Sequence, residues 1–342
     1  MDSLSVLGRW AALRRREESA SRRYTLLDTG FPDRSRAGLN DVPGELGDSN
    51  SSAVLILSGV AVPWVDWADV LSLLSSRERV VLVERDGMEG LAAPLPPSPA
   101  GAASSPSLVD EAHAVAALLD TLKIARVRIL AHSMGAFIGE AFARLYPERC
   151  EHLVFVDGSC TNPPTYASRD TESVPELRCA GLTERLLLRA ARCAWVRALY
   201  ARVLWWPRRR GLRTIAREEE RVYAQSFFAD ERFIHTMWQE MRVYDLWAQE
   251  LNALTRRLPL RCELRVAVAT RHRVLQDPWV VRQRARFEAL DAEIEGVGMS
   301  GAAGRSGAGV QNSYEVVSAS HLLMRDNPEL VASLAARRHE SP

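Results

Sequence analysis

Residues 126–140 read Arg-Val-Arg-Ile-Leu-Ala-His-Ser-Met-Gly-Ala-Phe-Ile-Gly-Glu. This stretch predicts a buried strand, a sharp corner at Ser133, and a helix whose small residues let it lie close against a sheet. Such a corner, a nucleophile elbow, lifts the serine oxygen clear of the strand ends. A hydroxyl is a weak nucleophile until a base takes its proton, so the corner calls for a base delivered from elsewhere in the chain. His321 is the candidate. The pattern is Gly-x-Ser-x-Gly with one departure, Ala131 in the first small position. Slim neighbours are needed there because strand and helix must approach closely, and alanine adds a single methyl.

Further apolar, β-branched runs occupy residues 53–60, 79–85, 151–157, 264–269 and 314–317, with a possible short strand at 24–28. Helical stretches, or loops leading to them, follow these runs. Unbroken apolar strands alternating with helices predict a parallel sheet covered on both faces. Ser107, with Asp110 and Glu111 just after it, opens a helix that ends near Leu122, and Asn327-Pro328 opens another after His321. Residues 30–52, 92–106 and 295–312 are rich in Gly, Ser, Pro or Asp and read as loops.

With its serine corner, its succession of strands and helices and its late histidine, the chain resembles the α/β-hydrolase superfamily. The resemblance spans roughly residues 53–158 and 260–338 and is greatest to small bacterial esterase-like members. It implies a mostly parallel, doubly wound sheet with an inserted helical cap. The division it implies is an N-terminal amphipathic segment (1–23), a first part of the core (24–158), a cap (159–259) and a second part of the core (260–342). It implies two oxyanion donors: the N–H of Met134, which follows the serine, and the N–H of Val60. Ser58 then stands where the family often has histidine.

The acid of the implied triad stays open between two residues. Arg271 or Arg273 stands about where the family usually has a carboxylate, so the first acid after that strand is Asp277, which precedes Pro278 and equally suits a helix cap. A second family solution places the acid at the end of the preceding strand, where Asp157 stands, and Asp157 is preferred. His132 is expected to point to the other side of the corner as a structural or pocket-lining residue. His113, His152, His235 and His272 have no setting like that of His321.

The implied activity is cofactor-independent hydrolysis of a small or medium apolar ester through an acyl-enzyme. Acyl transfer to another acceptor, haloperoxidase-like perhydrolysis, and a non-catalytic binding role are the alternatives. No metal-ligand cluster or phosphate loop occurs, so no cofactor and no metal are expected. The chain has 342 residues, 47% of them hydrophobic, and a formal net charge of +1, enough for one large core and without the imbalance that calls for nucleic acid. Lys123 is the only lysine, a composition bias with no mechanistic content.

The five cysteines are scattered and odd in number, which predicts free thiols in a reducing compartment. No run of about twenty apolar residues suits a membrane span, and a cytoplasmic location is expected. Peripheral lipid contact is left to the N-terminal segment or the cap. In the N-terminal segment, Leu4, Leu7, Trp10 and Ala11 have helical spacing before the run Arg14-Arg15-Arg16-Glu17-Glu18. In the cap, Arg208 to Arg210 sit beside Trp205 and Trp206, a cluster that suits a lipid headgroup, an anionic substrate or plain solvation. Phe227, Phe228, Trp238, Tyr244 and Trp247 form either an apolar acyl pocket or the cap's own core, and periodicity does not separate the two.

Overall fold

The apolar runs form strands that send alternate side chains to opposite faces of one sheet, which is why they are apolar without interruption. The computed structural model describes residues 14–19, 22–30, 52–85, 107–161, 189–208, 211–270, 277–300 and 312–336. The strands are β1 (Arg14–Ser19), β2 (Arg22–Asp28), β3 (Ser52–Leu57), β4 (Val80–Arg85), β5 (Arg126–His132), β6 (Cys150–Val156), β7 (Glu263–Ala269) and β8 (Ser313–Val317). They make an eight-stranded sheet in the order β1-β2-β4-β3-β5-β6-β7-β8. All neighbours from β4 to β8 are parallel, while β2 is antiparallel to both β1 and β4.

The helices are α1 (Ala68–Ser75), α2 (Leu108–Thr121), α3 (Gly135–Leu145), α4 (Ala194–Trp205), α5 (Arg217–Phe228), α6 (Glu231–Thr255), α7 (Pro278–Ser300), α8 (Leu323–Asp326) and α9 (Pro328–Ala335). Leu55, Leu57, Ile129, Leu153 and Val266 join the core under α2, α3 and α7. Val54, Ile56, Leu130, Val154 and Ala267 join the core under α1 and α9. Helix starts follow their sequence signals. Ser107 Oγ accepts the Asp110 N–H at 3.0 Å, and Asn327 Oδ1 accepts the Leu330 N–H at 3.3 Å with Pro328 as the first helical residue.

Two segments differ from expectation. Arg14–Ser19 is an edge strand, registered from Arg14 opposite Leu27 to Ser19 opposite Arg22. Charged residues are the usual composition of an edge, so apolar runs do not reveal it, and the apolar positions before it lie outside the described residues. Helix α7 continues to Ser300, so the start of the predicted 295–312 loop is helical. Gly296 and Gly298 cost about 1 kcal/mol each inside a helix, which does not by itself end one. The predicted loops at 31–51 and 92–106 lie outside the described residues. The described cysteines, Cys150, Cys160, Cys193 and Cys262, are free thiols. Among the described residues no helix is long and apolar enough to cross a membrane.

Between β6 and β7 stand α4, α5 and α6. Ala201, Ala224, Phe227, Phe228, Phe233, Ile234 and Met237 pack into a core of their own, so Phe227 and Phe228 serve the insert's interior rather than a pocket. Farther along α6, Val243, Trp247 and Leu251 enter the core shared with α2 and α3. One helix thus belongs both to the insert and to the layer covering the sheet.

A buried ion cluster fastens the insert to the rest. Arg208 is buried, not part of a solvated basic run, and Arg209 and Arg210 lie outside the described residues. Its guanidinium holds Asp66 with Nη2–Oδ2 at 2.6 Å and donates to the Ala61 carbonyl at 2.8 Å. Arg325, on α8, reaches Asp66 at 2.7 Å and also pairs with Glu220 on α5. Burial pushes the Asp66 carboxyl up, but the two guanidinium groups outweigh it and hold it below its usual value. Removing one partner of such a set leaves a buried charge uncompensated. Arg325→Met is therefore expected to cost about 3–5 kcal/mol in denaturant unfolding, and a loss no larger than that of an exposed arginine would show that the cluster does not hold the insert.

Candidate active site

Ser133 adopts φ 49°, a left-handed conformation uncommon outside glycine. The corner closes because α3 starts almost in contact with β3: a β-carbon on Gly135 would lie 2.2 Å from the Leu57 carbonyl oxygen. The Ala131 departure is accommodated by Gly139, whose own absent β-carbon would meet the Ala131 methyl at 3.1 Å. On the other side, a β-carbon on Gly59 would sit 2.5 Å from Ser133 Cβ, so the loop after β3 passes directly over the serine.

That loop carries Val60. Arg85, the last residue of β4, donates to the carbonyls of Ser58 at 2.8 Å and Gly59 at 3.3 Å and pairs with Glu240 of α6. A trans peptide points its C=O and the following N–H in opposite directions. Arg85 therefore fixes the plane of the 59–60 peptide and aims the Val60 N–H away from itself. Among the described residues, neither the Val60 nor the Met134 N–H has an acceptor. Met134 immediately precedes α3, at the positive end of its dipole. The Ser58 hydroxyl is held by the Trp67 indole N–H, which it accepts at 2.9 Å.

Asp157, at the end of β6, also takes a left-handed turn, φ 43°. Its carboxylate is fully buried. Oδ1 accepts from the Ala269 N–H and the Trp279 indole N–H, both at 3.1 Å, and Oδ2 faces His321 Nδ1 at 2.5 Å. Burial pushes this carboxyl up, but His321 and the two N–H donors outweigh it and hold it below the usual range. Asp277 is elsewhere: its Oδ1 accepts the Trp279 N–H at 2.8 Å and caps α7. The structure thus brings Asp157, not Asp277, to His321, and Asp277 starts the helix that presents Trp279 to Asp157. Arg271 and Arg273 lie outside the described residues.

His321 follows β8, on a loop tied by the Ser320 N–H to Asp326 Oδ2 at 2.6 Å. Its ring is partly exposed. His132, expected on the far side of the corner, instead lies against it, with ring centroids 4.6 Å apart and Nε2 2.8 Å from the His321 carbonyl oxygen. It is a structural tie between the serine corner and the histidine loop. Burial, then the neighbouring His321, lower its pKa from 6.5 to about 3, so it is neutral, with Nε2–H donating. Sequence reading expected a structural or pocket-lining residue at His132 but missed its contact with the histidine loop, and it missed the role of Arg85. The Glu84-Arg85 pair ending an apolar strand was the available signal for the latter. Of the other histidines, His113 bonds the Tyr146 hydroxyl, His152 is buried on β6, His235 is exposed on α6, and His272 is outside the described residues. Among the described residues, no three His, Cys, Asp or Glu side chains gather as metal ligands.

The sequence profile of the alpha/beta hydrolase family matches residues 54–334. A stretch of 155 residues, 45% of this chain and 50% of the relative, is 30% identical to a putative carbamate hydrolase, RutD, of Pantoea ananatis. A stretch of 130 residues, 37% of this chain and 43% of the relative, is 32% identical to a 2-hydroxy-6-oxononadienedioate/2-hydroxy-6-oxononatrienedioate hydrolase of Cupriavidus pinatubonensis. The chain thus spans half or less of the length of these curated relatives. Among solved structures, a putative epoxide hydrolase from Pseudomonas aeruginosa superposes with a TM-score of 0.59 at 17% identity, covering 94% of this chain and 93% of that one, a likeness of fold alone.

The state of His132 sets a pH dependence. Its pKa is about 3 in the folded chain against an ordinary 6.5 once unfolded, so between these values the unfolded chain binds a proton that the folded chain does not. The stability present above pH 6.5 is then lost as pH falls toward 3, by about 1.4 kcal/mol per unit. Asp157 adds a loss in the same direction only below its ordinary 3.8. His132→Gln keeps an Nε2–H for the His321 carbonyl but cannot titrate. It is expected to flatten the fall in denaturation midpoint over the upper part of this range, and an unchanged slope would refute the assignment.

Proposed function

The chain belongs to the alpha/beta hydrolase family, and on that premise we propose that it is a cofactor-independent serine hydrolase that cleaves an ester-like bond of a small or medium apolar substrate. His321 Nδ1–H donates to Asp157, which leaves Nε2 as the base that takes the Ser133 proton. The serine oxygen attacks the substrate carbonyl, and the Val60 and Met134 amides receive the negative charge that develops on its oxygen. His321 then returns the proton to the leaving group. Water, deprotonated by the same imidazole, opens the acyl-enzyme and restores Ser133.

One observation carries this reading: the 2.5 Å contact of a buried carboxylate, Asp157, with the partly exposed imidazole of His321, beside the serine corner. The carboxylate fixes the tautomer and stabilises the imidazolium that forms. The aromatic core of the insert packs directly against Val60 and Ala61 and so holds the loop that carries the Val60 amide beside the serine. Both curated relatives described above are named hydrolases, which favours water as acceptor over acyl transfer.

The test combines turnover of p-nitrophenyl acyl esters with fluorophosphonate labelling of the serine. Ser133→Ala should abolish both. Asp157→Asn is expected to lower kcat on the order of 10⁴-fold, whereas Asp277→Asn should leave kcat within a few-fold, since asparagine caps the helix as aspartate does. The reverse ranking of the two acids would overturn the triad. Arg85→Met, which releases the Gly59 carbonyl, is expected to lower kcat by about 10² with little change in KM.

A further inference from the structure

Helix α4 turns an apolar stripe outward. Trp195, Leu199, Val203 and Trp206 are 72%, 54%, 61% and 66% exposed, and their spacing places them on one side of the helix and its last turn. The opposite side is seated: Ala201 is buried in the insert's core, with Tyr200 and Leu204 packed against it. Scattered exposed apolar residues need no explanation, but a continuous row containing two tryptophans does. Arginine dominates the sequence around this row. Between Glu184 and Glu218 the sequence contains no Asp or Glu while arginine recurs throughout, in a chain whose net charge is only +1. Arg189, Arg192 and Arg202 are exposed, and Arg202 lies within the stripe between Leu199 and Trp206. Arg192 makes only a loose pair with Glu231 at 3.7 Å, both side chains being well exposed.

We propose that this face of α4 docks the protein on an anionic lipid surface. An amphipathic helix lying in the plane of a bilayer needs apolar side chains for the acyl boundary and cations for the headgroups, and arginine can bury its stem while its guanidinium reaches the phosphates. Tryptophan favours that depth because its ring is apolar and its N–H polar. Among the described residues no helix can span a bilayer, so the contact is peripheral. A second copy of the chain fits the face poorly: a two-fold contact through the stripe would bring Arg202 of each copy against the arginine-rich face of the other. The sequence left Arg208 to Arg210 open to a lipid headgroup, an anionic substrate or plain solvation. Arg208 is instead buried on Asp66, and Trp205 lies under the Arg217 guanidinium, so the exposed face is the one built on Trp195 and Trp206.

The experiment is co-sedimentation of the full chain with vesicles of phosphatidylglycerol and phosphatidylcholine, against vesicles of phosphatidylcholine alone. Binding to the anionic vesicles only, weakened by high salt, is expected. Trp195→Ser combined with Trp206→Ser should lower vesicle affinity by about tenfold or more. A separate variant, Arg189→Gln with Arg202→Gln, should weaken binding to anionic vesicles, so the proposal stays falsifiable if the tryptophan variant fails to fold. Ser133→Ala should bind as the unaltered chain does, which separates this inference from the proposed chemistry. Absence of binding, equal binding to both vesicle types, or undiminished affinity in both variants would overturn it. So would a dimer in solution that the tryptophan variant dissolves, because a second copy would then be the occupant.

Discussion

A β-carbon at position 135 would sit 2.2 Å from the Leu57 carbonyl oxygen, and this steric limit sets how near α3 stands to the ends of β3 and β5. The left-handed turn at Ser133 follows from that approach, because a strand must reverse within one residue to feed a helix lying so close. Gly59 is constrained from the other side, with the serine β-carbon where its own would be. Ser133, the loop through Gly59 and the start of α3 are therefore one steric unit. None of the three can shift without the others, which is the preorganisation that acyl chemistry needs from its surroundings. Strain of about 1–3 kcal/mol per left-handed residue is sustained by the buried layers on either side of the sheet.

Asp157 repeats the device one strand over. β6, like β5, ends in a left-handed residue, so the two side chains turn onto the same rim of the sheet. Desolvation alone would favour the neutral acid at a fully buried position. The donors from Ala269, Trp279 and His321 reverse that balance, and each comes from a different part of the second half of the chain. The His132 contact with the His321 carbonyl adds a fourth tie across the same gap. The charge of the acid and the position of the histidine are thus products of assembly rather than of any local motif.

That difference explains which parts were legible in the sequence. The central strands, the serine corner and the caps at Ser107 and Asn327 are local, and residue type states them directly. Edge strand β1 was hidden by its charges. The choice between Asp157 and Asp277 could not be made from residue type, since each stands at a strand end or helix start and suits either role. Only the neighbours in space separate them, Trp279 being capped by one and bonding the other. Arg208 misled for the same reason: a triple-arginine run looks solvated until Asp66, far away in the chain, is known to meet it. Arg85 was overlooked because its function is exerted through the backbone of Ser58 and Gly59, which side-chain patterns do not encode.

The insert is bound to the site by charge as well as by packing. Asp66 follows the oxyanion loop, Arg325 follows the histidine loop, and Arg208 and Glu220 come from the insert, with Asp66 and Arg325 at the centre of the set. Arg85 and Glu240 make a second connection, from the carbonyls of the oxyanion loop to α6. Swinging α4, α5 and the start of α6 away as a lid would strand buried charges on both sides, at a cost of several kcal/mol for each broken pair. The continuation of α6 into the main core through Val243, Trp247 and Leu251 opposes the same motion. These helices therefore behave as a fixed wall, and the rim that carries Ser133 and His321 and the outer face of α4 keep a constant relation to one another. A surface that captured the protein through Trp195 and Trp206 would accordingly set the orientation of the whole site, with no hinge between them.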